Sequence, residues 1–202
     1  MVTCDAKAVI FDLYGTLIFV ANKKKLYRRV LSLKQWAQIR ELALVCDMSL
    51  SEIFGKLGIS LDPDVISEIE MDIRSEVRSV HCYPETIELL HWLRLRGIKL
   101  GTVSNLATPY KRPFFRLALD SLIDEYIFSC DVGFKKPEGV IFESMIQRLG
   151  VDSSEILMVG DSVASDFIGS REAGLRAILL SRVKKRGFDH EIESLEELKK
   201  LF

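Results

Sequence analysis

Short apolar segments alternate with helical patterns from residue 81 to the end of the chain, and this alternation constrains the fold most strongly. The predicted strands are 8–11, 98–103, 126–129, 156–159 and 176–180. The predicted helices are 84–96, 109–119, 138–149, 163–173 and a last one that begins at Ser194. Strands that alternate with helices of about 10 to 15 residues are typical of crossover units in a parallel sheet. We therefore predict an α/β fold.

Residues 22–80 have a different pattern, because apolar residues recur there at helical spacing. Val65, Ile66, Ile69 and Ile73 are one such series, and Asp62-Pro63 before them is typical of an N-cap followed by proline at the first helical position. The pattern predicts three or four helices with no strand among them. The chain then divides into an α/β core of residues 1–20 and 81–202 and a small all-helical insert of residues 21–80.

The composition disfavours several classes of protein. The 28 basic and 29 acidic residues give a formal net charge of -1, which provides no long-range attraction for nucleic acid or an anionic membrane. No apolar run approaches the ~20 residues of a membrane span, and residues 1–7 lack the apolar segment of a signal peptide. The four cysteines have neither metal-site nor disulfide spacing. We expect a cytoplasmic protein with reduced cysteines buried as small apolar residues; the oligomeric state stays open.

Charge is distributed unevenly within the insert. Residues 22–50 contain seven basic and two acidic residues, whereas residues 51–80 contain three basic and seven acidic residues. One interpretation is that these are solvated helix faces that attract each other. The alternative is that Lys23, Lys24, Lys25 or Arg28 faces the active site and attracts an anionic substrate.

Polar residues follow four of the predicted strands. They are Asp12 with Tyr14 and Gly15, then Ser104-Asn105, then Lys135-Lys136-Pro137, and finally Gly160-Asp161-Ser162 with Asp166. Each group alone is compatible with an ordinary turn or helix cap. Because ligands of an open parallel sheet bind beyond the carboxyl ends of its strands, the four groups together predict one site.

The residue types at this edge indicate chemistry on a phosphate ester. Such a substrate repels a carboxylate nucleophile, and a divalent cation held by the oxygens of Asp12 and Asp161 would offset that repulsion. Lys136 and the Ser104 hydroxyl can hold the remaining phosphoryl oxygens. Asp12 would then attack and form a covalent intermediate that water later cleaves.

The four groups resemble, in order, the four motifs of the haloacid dehalogenase superfamily of hydrolases, and the resemblance spans nearly the whole chain. It implies a Rossmann-like parallel sheet with helices on both faces, a cap formed by the helical insert, and Mg²⁺ in the phosphatase members. By resemblance the catalytic residues are Asp12, Tyr14 and Lys136, the phosphate-binding residues are Ser104, Asn105 and Lys136, and the metal ligands are Asp12, Tyr14, Asp161 and Asp166. The expected substrate is a small phosphorylated molecule.

Tyr14 departs from the phosphatase pattern of this family. Most phosphatases of the superfamily have a second Asp at this place, which protonates the leaving oxygen, whereas true dehalogenases have Tyr. Gly160-Asp161-Ser162 favours a phosphatase, since metal-independent dehalogenases resemble Ser-Ser-Asn there and tend to have Tyr where this chain has Phe142. Acidic residues beside Asp12 without a cation would raise its pKa. We therefore favour a Mg²⁺-dependent phosphatase; a 2-haloacid dehalogenase and a catalytically weak binding protein are the alternatives.

Overall fold

A six-stranded parallel sheet forms the centre of the molecule, with the strand order β5-β4-β1-β6-β7-β8. The computed structural model describes residues 5–24 and 30–202. The strands of this sheet are β1 Ala8–Phe11, β4 Lys99–Ser104, β5 Glu125–Phe128, β6 Ile156–Gly160, β7 Arg176–Leu180 and β8 Glu191–Ile192. Two further strands, β2 Ile18–Val20 and β3 Val80–Cys82, form an antiparallel pair of their own.

The α-helices fall into two groups. Those of the helical insert are α1 Leu33–Ala43, α2 Leu50–Lys56 and α3 Pro63–Arg78. Those of the α/β part are α4 Thr86–Leu95, α5 Arg112–Arg116, α6 Ser129–Val132, α7 Gly139–Leu149 and α8 Gly169–Glu172. None of the helices in the described part of the chain combines the length and the apolar content that a membrane span requires.

Helices cover both faces of the sheet, and β1 shows why its sequence is a continuous apolar run. Val9 and Phe11 point into an apolar cluster that includes Leu89 and Leu93 of α4. Ala8 and Ile10 point into a second cluster with Phe142 of α7, because successive side chains of a strand alternate between its faces. All four residues of β1 are inaccessible to solvent. The predicted α/β fold is confirmed.

The helical insert has its own apolar cluster, centred on Ile39, Ile53, Phe54 and Ile69. The helices α1, α2 and α3 begin at capping residues, and the N-cap predicted at Asp62 is confirmed. Ser32 and Ser49 form capping boxes with Gln35 and Glu52, and the Asp62 side chain accepts from the Asp64 amide. The prediction of no strand within residues 22–80 was wrong at its last residue, since Val80 begins β3 and pairs with Val20.

Three predicted helices differ from the structure. Residues 163–173 form a π-helix, Val163–Ile168, followed by α8; the Ser170 hydroxyl donates to the Asp166 carbonyl, a bond that competes with the regular backbone ladder. Residues 109–119 split around α5, and Ala118 has a left-handed φ of 54°. The last helix is the 3-10 helix Leu195–Lys200, although its capping box at Ser194 is present.

Smaller differences concern strand ends and cysteines. Ser129, predicted to end a strand, begins α6 instead. Cys130 is buried as expected, but Cys46 and Cys82 are only half-buried, so the prediction of buried cysteines was wrong for these two. Cys4, Lys25 and Arg28 lie outside the described residues.

Candidate active site

The carboxyl ends of three adjacent strands bring the predicted site residues together. In register, Phe11 of β1 lies beside Thr102 of β4 and Val159 of β6. Asp12 follows β1, Ser104 ends β4 and Asp161 follows β6. The Ser104 hydroxyl donates to Asp12 Oδ1 over 3.1 Å. The sheet therefore fixes the predicted nucleophile between the predicted phosphate-binding and metal-binding loops.

Lys136 lies at the centre of this arrangement. Its Nζ donates to Asp12 Oδ1 at 2.7 Å, to Asp166 Oδ1 at 2.6 Å and to the Val103 carbonyl at 2.7 Å. Asp12, Lys136 and Asp166 are only 7%, 3% and 1% exposed. Three acceptors satisfy the three protons of the ammonium group, which is how a buried lysine avoids a large desolvation cost. Lys135, by contrast, pairs with Glu41 of α1, so Lys136 is the lysine of the site.

Burial and neighbouring charge shift the pKa values of this centre. Desolvation raises the pKa of Asp12 to about 7, with Lys136 opposing the shift and Asp166 adding to it. Burial alone would lower the pKa of Lys136, but the carboxylates of Asp12 and Asp166 hold it above its ordinary value. The lysine therefore stays cationic, while Asp12, the predicted nucleophile, is a carboxyl group whose charged form needs further positive charge nearby.

Asp12, Asp161 and Asp166 form an acidic cluster that fits a hard cation. One carboxylate oxygen of each residue lies within 4.8 Å of the others. Asp161 is partly exposed, and burial followed by the charge of Asp166 raises its pKa. Oxygen ligands in this number are the donor set that Mg²⁺ prefers, with the remaining positions taken by water and substrate. A cation here would also compensate the repulsion among the three carboxylates.

Two glycines allow the acidic side chains to approach the backbone. Gly15 has a φ of 89°, and a Cβ built on it would overlap the Asp161 carboxylate. A Cβ on Gly160 would overlap the Asp166 carboxylate in the same way. The cluster therefore depends on glycine at both positions, since any larger residue would displace a carboxylate.

Asn105 holds Lys136 in place. Its Oδ1 accepts from the Lys136 amide and its Nδ2 donates to the Lys136 carbonyl, both at 2.7 Å. The side chain predicted to bind phosphate is thus occupied by the backbone of Lys136. A phosphate contact from Asn105 would have to come from its main-chain amide, and it stays a prediction.

Tyr14 points its hydroxyl toward the segment after β4. It donates to the Tyr110 carbonyl over 3.0 Å, and the two rings meet edge to face with centroids 5.9 Å apart. Burial raises the pKa of Tyr14 above its ordinary value, so the phenol stays protonated. The Tyr110 hydroxyl in turn donates to Glu76 of α3 at 2.6 Å. The predicted catalytic and metal-binding roles of Tyr14 stay predictions; a metal contact would have to come from its main chain.

Two arginines that the sequence pattern did not indicate support the loops of the site. Arg182, after β7, donates to the carbonyls of Gly15 and Thr16 at 3.3 and 2.7 Å and pairs with Glu85 at 2.7 Å. Arg186 donates to the Asp161 carbonyl at 2.8 Å. The only signal available was their position after a strand at the same edge of the sheet.

The comparisons with known proteins decide the family. The family model of haloacid dehalogenase-like hydrolases matches residues 6–174. The chain belongs to this family. The resemblance inferred from the four motifs is confirmed, and the protein is a haloacid dehalogenase-like hydrolase.

Relatives and solved structures include both phosphatases and dehalogenases. The chain is 32% identical over 130 residues to the glyceraldehyde 3-phosphate phosphatase of Methanothermobacter thermautotrophicus, which covers 59% of this chain and 58% of that protein. The chain spans about half the length of the first curated relatives it matches. A phosphatase structure from Thermococcus onnurineus is 28% identical with a TM-score of 0.70, over 96% of this chain and 97% of that one. A 2-haloacid dehalogenase from Pseudomonas syringae, 21% identical with a TM-score of 0.70 over 100% and 98%, shares the fold.

Proposed function

We propose that this hydrolase is a Mg²⁺-dependent phosphatase of a small phosphorylated metabolite. The observation that carries the proposal is the acidic cluster of Asp12, Asp161 and Asp166, held around the cationic Lys136. Carboxylates this close need a cation to stay charged together. The phosphatase names among the relatives at 32% and 28% identity agree with this reading.

Asp12 is proposed as the nucleophile. Its carboxylate oxygen would attack phosphorus, the bond from phosphorus to the ester oxygen would break, and an aspartyl-phosphate would form on Asp12. Water would then attack that phosphorus, releasing inorganic phosphate and restoring the carboxylate. Lys136 and the Ser104 hydroxyl would hold phosphoryl oxygens, a role supported by the contact that each makes with Asp12 Oδ1.

Asp12, Asp161 and Asp166 would hold the magnesium ion, with the Tyr14 main chain as a further proposed ligand. The ion would supply positive charge against the substrate phosphate. The Gly15 and Gly160 backbones keep the Asp161 and Asp166 carboxylates close enough for this, and Arg186 anchors the Asp161 carbonyl.

The principal test is hydrolysis of an aryl phosphate with and without Mg²⁺. Activity should require the ion and fall to the uncatalysed background in Asp12→Asn, because that variant has no nucleophilic carboxylate. Lys135→Met is the matched control, since Lys135 pairs with Glu41 outside the centre. Retained turnover in Asp12→Asn would sink the proposal.

Tyr14 makes a sharper test possible. The Tyr14 hydroxyl donates to the Tyr110 carbonyl, and this position has no carboxylic acid that could protonate a leaving alkoxide. A positioned general acid contributes roughly a hundred- to ten-thousand-fold to the reaction rate. The enzyme should favour aryl over alkyl phosphates, and Tyr14→Asp should reduce that preference. Tyr14→Phe is the control, because it removes the same hydrogen bond without adding an acid. An unchanged preference in Tyr14→Asp would contradict this account.

A 2-haloacid dehalogenase is the second candidate, and Tyr14 is the observation that favours it. Halide leaves carbon without a proton, so no acid is needed beside Asp12. This candidate predicts halide release from a 2-haloacid in EDTA, with no phosphatase activity in Mg²⁺. A catalytically weak binding protein would show ligand binding without turnover in either assay.

A further inference from the structure

We propose that a groove between the helical insert and the α/β part binds a small anion with at least two phosphate or comparable groups. The groove has a volume of about 230 Å³. Its lining contains four arginines, Arg74, Arg78, Arg112 and Arg116, together with Ile73, Val77 and Pro109. None of these residues takes part in the proposed hydrolysis, so the site is distinct from the candidate active site. We call it the arginine groove.

The arginines come from two facing elements. Arg74 and Arg78 are four residues apart on α3, and Arg112 and Arg116 are four residues apart on α5, which packs against α3. Residues at this spacing lie on the same face of a helix, and like charges there are destabilising by several tenths of a kcal/mol. Two such pairs face one groove in a chain whose net charge is only -1. An anion between them would offset this repulsion.

Contacts within the protein leave most of the positive charge of these four arginines uncompensated. Arg74 pairs with Glu70 at 2.9 Å. Arg116 donates to the carbonyls of Val77 and Val80, which are neutral. Arg78 and Arg112 are exposed, and among the described residues they have no ion pair or hydrogen-bonded side-chain partner. No acidic residue lines the groove.

The chemistry of the lining identifies the class of ligand. A guanidinium group presents a planar fork of donors that binds phosphate or carboxylate oxygens in pairs. The volume suits an anion of about eight heavy atoms, since a water molecule occupies roughly 30 Å³. Asp47 and Glu70 line the neighbouring pocket beside Arg74 and Arg112. These carboxylates would repel a long polyanion at that end, so the groove favours a small anion over nucleic acid.

Binding there would join two parts of the molecule. Arg74 and Arg78 belong to the helical insert, whereas Arg112 and Arg116 belong to the segment that follows Ser104-Asn105. An anion held by both pairs would stabilise their packing. The same segment contains Tyr110, whose carbonyl accepts a hydrogen bond from Tyr14. Tyr110 therefore connects the segment that lines the groove to the loop of the candidate nucleophile.

Calorimetric titration with pyrophosphate tests the proposal. The protein background is Asp12→Asn in EDTA, so that neither turnover nor a bound metal contributes. Arg78→Gln/Arg112→Gln should raise the Kd of a pyrophosphate site at least tenfold, while Lys34→Gln/Lys56→Gln, which removes two exposed charges elsewhere on the insert, should leave it unchanged. Pyrophosphate should also bind more tightly than inorganic phosphate, because two groups can engage both pairs.

The outcomes separate the alternatives. Identical titrations of the parent and the double arginine variant would overturn the proposal, since any binding would then lie elsewhere. A single-stranded oligonucleotide that binds more tightly than pyrophosphate through the same arginines would overturn the assignment to a small anion. If the double variant does not fold by circular dichroism, the two single variants replace it, and an unchanged Kd in both would be equally decisive.

Discussion

The α/β part and the helical insert differ in how tightly their apolar side chains are packed. Every residue of β1 is inaccessible to solvent, and the sheet is covered by apolar clusters on both faces. Among the described residues, the cluster of the insert has five buried members, and eleven more are only partly buried. A cavity of about 100 Å³ remains beside it, bounded in part by Trp36, Ala43 and Phe54. Close packing fixes positions to fractions of an ångström, whereas a looser cluster leaves room to adjust.

The two parts also differ in where they keep their charges. The α/β part buries Asp12, Lys136 and Asp166 against one another. The insert keeps most of its charges at the surface, and its buried carboxylate, Glu76, is bound by the Tyr110 hydroxyl and the Lys24 amide. Rigid packing is what holds three charged groups in one geometry, and the candidate catalytic residues accordingly lie in the more tightly packed part.

The largest effect expected is from removing the buried cation. Lys136→Met leaves the Asp12 and Asp166 carboxylates facing each other without compensation, and this should lower the free energy of unfolding by about 3–5 kcal/mol. Lys135→Met, one residue away, removes only a surface pair with Glu41 and should cost less than about 1 kcal/mol. Urea unfolding in EDTA measures both. Equal losses would mean that the two lysines do not differ in burial as described.

The contrast in packing can be tested with one substitution in each part. Ala8→Leu adds bulk at a strand position that is inaccessible to solvent and packed within an apolar cluster, and it should destabilise the protein by about 1–3 kcal/mol. Ala43→Leu adds the same bulk beside the cavity of the insert and should leave the unfolding free energy unchanged or raise it by up to about 1 kcal/mol. Thermal and urea unfolding should agree on the order. A larger loss in Ala43→Leu would contradict the looser packing of the insert.

The last effect expected is a stabilisation at the candidate catalytic centre itself. The pKa of Asp12 is raised from 3.8 to about 7 by burial. The group therefore contributes stability that is fully present below about pH 4 and is lost as the pH rises through about 7. In EDTA at pH 8, Asp12→Asn should be more stable than the native protein by at least about 1 kcal/mol, because one pKa unit corresponds to about 1.4 kcal/mol.

The pH series supplies the control for this prediction. The difference between Asp12→Asn and the native protein should shrink toward zero near about pH 3 and below, where the carboxyl group is largely neutral in both the folded and unfolded states. A variant that is less stable than the native protein at pH 8 would show that the ion pair with Lys136 outweighs the cost of burial.

The sequence predicted the elements that follow local patterns. Apolar runs indicated five strands of the sheet, and cap residues such as Ser194 and Asp62 marked helix starts. The positions of Asp12, Ser104 and Asp161 at strand ends followed from the parallel arrangement alone. β8 has two residues and is too short for a pattern.

Contacts between distant residues could not be predicted in the same way. Arg182 reaches Thr16 across 166 positions, and Tyr110 reaches Glu76 across 34. Such contacts depend on which side chains the fold brings together, and they produce no periodic pattern in the sequence. The π-helix before α8 is another case, since one hydroxyl bond from Ser170 alters a helix whose sequence pattern is ordinary.

Two hydrogen bonds join the Asn105 side-chain amide to the Lys136 backbone. Because of them, the position of the lysine does not depend only on the segment of chain that precedes it. The Lys136 backbone is hydrogen-bonded directly to the loop after β4, in addition to being connected to the sheet through β5 and α6. The two ends of the segment between Asn105 and Lys136 are therefore held together by two hydrogen bonds that do not involve β5 or α6. We expect the ammonium group to keep its position beside Asp12 when exposed side chains of this segment, such as Arg112 and Arg116, are replaced.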